Sequence, residues 1–188
     1  GKMTISQSPG GCPVRHEAGH LRVVGHPEVV AVVTDPETFS SGVSRFLQVP
    51  NGLDGEEHAA FRAVIDRFFT AEALAELEPR LRDVARRLVV GGMGTRYAVQ
   101  AMLAWLGWDP GLEEELVRWV ADNAAATRSG EIERTRAVAE HFDAIIVRVL
   151  RPRLERLDEP ARDVTDQLLR QRVQGRSLQH PELVSILR

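Results

Sequence analysis

The stretch Leu53 to Thr70, LDGEEHAAFRAVIDRFFT, constrains the chain more than any other. Asp54 followed three residues later by Glu57 is a capping-box pattern, so the spacing predicts a helix that begins here. His58, Arg62, Ile65 and Phe69 recur at helical spacing, and Phe61 and Phe68 widen their face into an apolar stripe. That stripe opens with two basic side chains in the first turns, where the helix dipole favours anions. An Arg and a His beside free backbone N–H groups suit a carboxylate or a phosphate held between them. The competing reading, and on spacing alone the commoner outcome, is an exposed ion pair between Arg62 and Asp66 four residues on.

The chain has 188 residues, enough for one domain with a sizeable core. Its 43% hydrophobic and 27% charged residues are ordinary for a globular chain, and its formal charge of -3 gives no bulk attraction to nucleic acid or to an anionic membrane. The single cysteine, Cys12, excludes an internal disulfide framework and fits a reducing, cytoplasmic setting. No apolar run reaches membrane-spanning length, and no basic segment with an apolar run after it opens the sequence.

Residues Gly1 to Pro13 are rich in Gly, Ser and Pro and read as loop. Val14–His16 and Leu21–Val24 read as a small hairpin around a turn with Ala18 and Gly19. His26-Pro27 opens a helix carrying Val29, Val30, Val32 and Val33, stopped by Asp35-Pro36. Thr38 to Gly52 is a long loop whose Val43, Phe46, Leu47 and Val49 are expected to bury themselves. From Asp54 onward nearly everything reads as helix. Leu74, Leu77, Leu81, Val84 and Leu88 form a stripe with a kink or restart at Pro79. Gly91, Gly92 and Gly94 break it. Tyr97 to Trp105 is apolar nearly all round and is expected at the centre of the fold. Asp109-Pro110 starts the next helix, to about Thr127. Glu131 to Leu157 makes a helix roughly 40 Å long, with Ile132, Phe142, Ile145, Ile146, Val149 and Leu150 inward. Asp163 caps a shorter helix that ends at Gln174-Gly175, and Pro181 starts a last one. The stripe Leu183, Ile186, Leu187 stops without a cap, so the chain is expected to be incomplete at its C-terminus.

Three short motifs compete for attention. His16-Glu17-Ala18-Gly19-His20 spells H-E-x-x-H, a zinc-protease pattern that works only on a helix. Here Pro13, Gly19 and the β-like LRVV place it on a hairpin. Cys12, His16, His20 and His26 match no closed zinc spacing. Leu88 to Gly94 resembles the start of a dinucleotide loop but follows a helix and lacks the third glycine. All three are expected to be structural.

The order of elements carries a family resemblance. LRVVGHPEVVAVVTDPETFSS, LDGEEHAAFRAVIDRFFTAEALAELEPRLRDVARRLV, RYAVQAMLAWLGW and HPELVSILR together resemble the N-terminal half of a bacterial cytochrome P450. The resemblance implies a mainly α fold of that type with a small N-terminal β hairpin, incomplete at the C-terminus. It would form a single domain over 1–188: loop and hairpin (1–25), short helix and B–C loop (26–53), and helical part (54–188). His58 and Arg62 fall on the family's H-x-x-x-R positions, which hold a haem propionate. Phe46 and Leu47 would line the substrate pocket, under a lid made by the helices of residues 110–157.

The implied cofactor is haem b, and the implied reaction inserts oxygen from O₂ into a small apolar substrate. Electrons would come from a ferredoxin or a reductase, with no nucleic acid and no membrane as partner. The family's axial cysteine lies near its C-terminus. Cys12 is at the wrong end to take that role, so the 188 residues alone are expected to be inactive. The alternative is a non-catalytic, all-helical ligand-binding or dimerisation module. A helical transcriptional regulator is weaker still, because no basic helix-turn-helix opens the chain.

Overall fold

Two short antiparallel strands come first, β1 (Val14–Glu17) and β2 (His20–Val23), paired from Val14 opposite Val23 to Glu17 opposite His20. The computed structural model describes residues 13–17, 19–44, 46–89 and 94–188. The loop expected over Gly1 to Gly11, Cys12, the turn residue Ala18 and the glycine run from Val90 to Met93 lie outside the described residues. His16 and His20 fall on the hairpin, as their context predicts, and no group of three or more metal-ligating side chains gathers among the described residues.

Helix α1 (His26–Val33) follows, with Pro27 in its first turn. It buries none of its side chains, and Val33 is 72% exposed. The long loop after it also departs from expectation. Val49 is buried, whereas Val43, Phe46 and Leu47 are exposed.

Helix α2 (Gly55–Asp66) runs into a 3₁₀ turn (Arg67–Phe69), and α3 (Ala71–Leu88) starts at Thr70, whose hydroxyl accepts from the Ala73 N–H at 3.2 Å. No restart occurs at Pro79: α3 continues through it as one helix. Leu77 and Val84 are buried on the predicted stripe, while Leu74 is exposed. The apolar segment beyond forms α4 (Gly94–Leu106), which buries Val99, Leu103 and Leu106. Then come a 3₁₀ turn at Pro110–Leu112, α5 (Glu113–Ser129) and α6 (Ile132–Leu154). Ile145, Ile146, Val149 and Leu150 face inward as their spacing predicts, but Ile132 is 77% exposed at the helix start.

Asp163 caps α7 (Val164–Leu169), accepting from the Asp166 N–H at 2.7 Å. The helix stops there rather than continuing to Gln174. Residues 172–177 form a second hairpin, β3 (Arg172–Val173) with β4 (Arg176–Ser177). Gln174 and Gly175 at its tip both take positive φ, 49° and 81°, the geometry of a tight two-residue hairpin turn. Helix α8 (His180–Leu187) ends the chain behind a complete capping box between Gln179 and Glu182.

One core joins α2, α4, α5, α6, α7 and α8, with Ile145, Ile146 and Leu150 of α6 fully enclosed. A polar network sits within it. Trp108 Nε1 donates to Thr165 Oγ1 at 2.9 Å, and that hydroxyl donates to the Leu106 carbonyl at 2.7 Å. Asp166, 1% exposed, receives Arg156 at 3.0 Å and the Arg162 N–H at 3.1 Å, with Arg153 Nε 3.2 Å away. Gly107 lets α4 approach this network: at φ 70° a Cβ there would stand 2.2 Å from the Cβ of Asp163. No helix among the described residues is long and apolar enough to cross a membrane.

Candidate functional site

Helix α2 buries Phe61 and Val64, and the 3₁₀ turn after it buries Phe68, spaced three and four apart. His58, Arg62, Ile65 and Phe69 lie roughly 100° round the helix from that buried face. The two cations therefore flank the core rather than open its stripe, and both are half-buried. Arg62 pairs with Asp66 one turn on, the ion pair that its spacing allowed. Its side chain keeps 42% of its surface exposed, so its remaining N–H donors reach solvent. At the end of the same face, the Phe69 ring lies 4.9 Å from that of Trp105.

The capping box expected at the start of α2 does not form. Asp54 occupies the N-cap position but makes no side-chain bond to the helix. Its carboxylate instead accepts the Ser40 hydroxyl at 2.6 Å and the Ser41 N–H at 3.0 Å. The Ser40 bond, followed by the Ser41 N–H, holds its pKa below the ordinary value. The residue that looked like a local cap is thus the anchor of a loop thirteen residues upstream.

That loop walls the larger cavity. Phe46 and Leu47 line one side of a space of about 770 Å³. Ala139, Asp143 and Val147 of α6 line the facing side, and Val184 with Arg188 the base. Asp143 and Arg188 close one end with two bonds, at 2.8 and 2.7 Å. The space combines apolar surface with a row of polar groups on α6, among them Thr135 and Glu140. Its volume lies in the range that takes drug-sized molecules, roughly 300–1,000 Å³. Neither His58 nor Arg62 lines it. The structure thus brings Phe46 and Leu47 to a cavity and leaves the cation pair on a separate face. A smaller apolar space of about 350 Å³ lies between α4, α5 and α6, beside Trp108, Trp119 and Phe142.

Two further ion pairs hold the elements around the large cavity. Glu115 of α5 bonds Arg148 and lies 3.3 Å from His141, both on α6. Burial pushes the Glu115 carboxyl up, and these two partners outweigh it, so its pKa falls below the usual value. Glu182 of α8 receives Arg176 of β4 at 2.7 and 2.9 Å, which lowers its pKa against the opposing effect of burial.

The sequence placed the helices of residues 110–157 over the pocket but singled out no α6 residue lining it, and it missed the α8 wall. On α8 a signal was present: Ser185 interrupts the apolar run Leu183, Val184, Ile186, Leu187. Its hydroxyl accepts from the Val49 N–H at 2.7 Å and donates to the Leu47 carbonyl at 3.1 Å.

No family model matches the chain. Relatives are nevertheless found by sequence. The erythromycin C-12 hydroxylase of Saccharopolyspora erythraea is 28% identical over an alignment of 185 residues, taking in 87% of this chain and 46% of the relative. "Probable cytochrome P450 127A1" of Sinorhizobium fredii is 28% identical over 175 residues, covering 82% and 41%. Among solved structures, the open form of cytochrome P450 EryK from S. erythraea superposes with a TM-score of 0.78 at 26% identity, over 93% of this chain and 49% of that one. Ligand-free cytochrome P450 TbtJ1 gives a TM-score of 0.76 at 22% identity, over 93% and 50%. The chain spans about half the length of the relatives it matches.

Proposed function

We propose that this chain, which has the fold of about half a bacterial cytochrome P450, forms part of a haem-thiolate monooxygenase that hydroxylates a small apolar molecule. The observation that carries the reading is the open cavity of about 770 Å³ that Phe46 and Leu47 line opposite α6 and α8, in a chain of that fold. Phe46 and Leu47 supply apolar contact to the substrate. The α6 and α8 walls bound its far side.

His58 and Arg62 fit the acid groups of a haem b. They are a His and an Arg one turn apart, half-buried, with donors left over after the Arg62–Asp66 pair, and such a donor set matches a carboxylate. When bound, haem would supply reductive activation of O₂. Cys12, the chain's only cysteine, lies outside the described residues, so no described residue is a thiolate ligand. What the described residues contribute is grip on the propionate and shape around the substrate. Electrons would be delivered by a ferredoxin or a reductase.

The test is spectroscopic. The protein expressed from its complete gene, reduced and exposed to CO, is expected to show the red-shifted Soret band of thiolate-ligated haem. A colourless protein would overturn the reading in favour of a non-catalytic helical ligand-binding module. Within it, Arg62→Ala is expected to lower haem retention more than Arg67→Ala, because Arg67 bonds Gln171 instead. Equal haem loading in the two variants would remove the propionate role.

A further inference from the structure

The loop between α1 and α2 is held at two places. Near its start, Ser40 and Ser41 are tied to Asp54. Near its end, one hydroxyl of α8 engages two backbone groups at once: Ser185 takes the Val49 N–H at 2.7 Å and gives its own proton to the Leu47 carbonyl at 3.1 Å. Between these ties the hydrogen bonds among the described residues are short-range, such as Val43 N–H to the Ser41 carbonyl and Phe46 N–H to the Ser44 hydroxyl. The middle of the loop is an arch with exposed apolar side chains: Val43 is 89%, Phe46 58% and Leu47 44% exposed.

We infer that Ser185 is a positioning residue: its hydroxyl clamps the Leu47–Val49 backbone to α8 and so sets one wall of the 770 Å³ cavity before any ligand arrives. This rests on the reading of that cavity as the ligand site. A hydroxyl suits this task, because one short side-chain atom both accepts from the N–H and donates to the carbonyl, and a methyl in its place does neither. Val49 is itself buried in the core, so the loop end stays attached without the clamp. What is lost is the fixed placement of Leu47 and Phe46. Their ordering would then be charged to ligand binding rather than to folding.

The experiment uses the full chain with Ser185→Val and Ser185→Thr, nearly isosteric with each other, and with Ala139→Trp, which fills the cavity from α6. The probe is Nile red, an uncharged apolar dye. Amide exchange at Val49, dye affinity and melting temperature are measured. Ser185→Val is expected to speed exchange at Val49, to weaken dye binding about fivefold, the scale of one or two net hydrogen bonds, and to lower the melting temperature by about 2–4 °C. Ser185→Thr should restore all three. Ala139→Trp, or Val147→Trp if that variant does not fold, should abolish dye binding.

Unchanged exchange at Val49 in Ser185→Val would overturn the clamp. So would unchanged dye affinity in that variant alongside loss of binding in the blocked one. If dye affinity survives the blocking substitutions, the cavity reading itself fails, while the exchange result still judges the clamp.

Discussion

The region around α6 and α7 and the segment from α1 to Leu47 solve the same problem in opposite ways. Around α7, polar groups are drawn inside and given partners: Asp166 has two guanidinium groups and a backbone N–H, and Thr165 bridges Trp108 to the Leu106 carbonyl. In the α1 segment, apolar groups are left outside: α1 buries no side chain, and the arch beyond it exposes Val43 and Phe46. Buried polar groups that bond one another hold a geometry firmly, since removing one leaves its partner stranded. An exposed apolar face contributes little to the stability of the chain that carries it. The first region is built to hold position. The second keeps its shape through backbone bonds and two tether points.

The contrast can be broken by substitution. Asp166→Ala strands the partly buried Arg156 guanidinium, while Arg153 keeps Asp163 and the Gly107 carbonyl, and is expected to cost about 3 kcal/mol in urea unfolding. A loss under 1 kcal/mol would mean that water reaches the network freely.

Acid titration is the next lever. Burial raises the Asp166 carboxyl, but the Arg162 N–H, Arg156 and Arg153 more than offset it, so its folded-state pKa lies below the unfolded value. A depressed acid stabilises the fold above about pH 4, its unfolded pKa, and that contribution is lost as pH falls through the folded value. Asp166→Asn should therefore lose stability less steeply than the parent below about pH 4. Parallel curves would uncouple Asp166 from folding.

Trp108→Phe keeps most of the ring and drops the bond to Thr165. An expected loss of about 1–2 kcal/mol combines one buried hydrogen bond with a small cavity. Val33→Ser should change stability by no more than about 0.5 kcal/mol, the ordinary range for an exposed site. A loss of 2 kcal/mol there would show that α1 is packed in solution and that the contrast between the two regions is false.

Much of the helical part was legible because its signals are local. The spacing of Phe61 and Phe68, of Leu77 and Val84, and of Ile145, Ile146, Val149 and Leu150 repeats with the helix, and burial follows it. Asp163 announced the start of α7, and Pro110 and Pro181 opened their segments near the observed positions. Asp54 was misread for the complementary reason. A carboxylate at an N-cap position satisfies the local pattern, yet its bonds go to Ser40 and Ser41, which no i, i+3 rule includes. Phe46 and Leu47 were picked out as site residues and do line a cavity. Their exposure was not foreseen, because a loop's apolar residues carry no period that tells which way they face.

What the amino-acid sequence alone determined was the set of helices, most of their inward faces and the resemblance to half of a known fold, since each follows from bonds and contacts within a turn or two. What only the tertiary structure decided was the joining of distant groups. The Arg153–Arg156–Asp166 network and the hairpin that ends α7 early are of this kind. So is the Ser185 hydroxyl on a backbone 136 residues away. Such contacts depend on the directions in which packed helices carry their side chains, and those directions exist only once the core has closed.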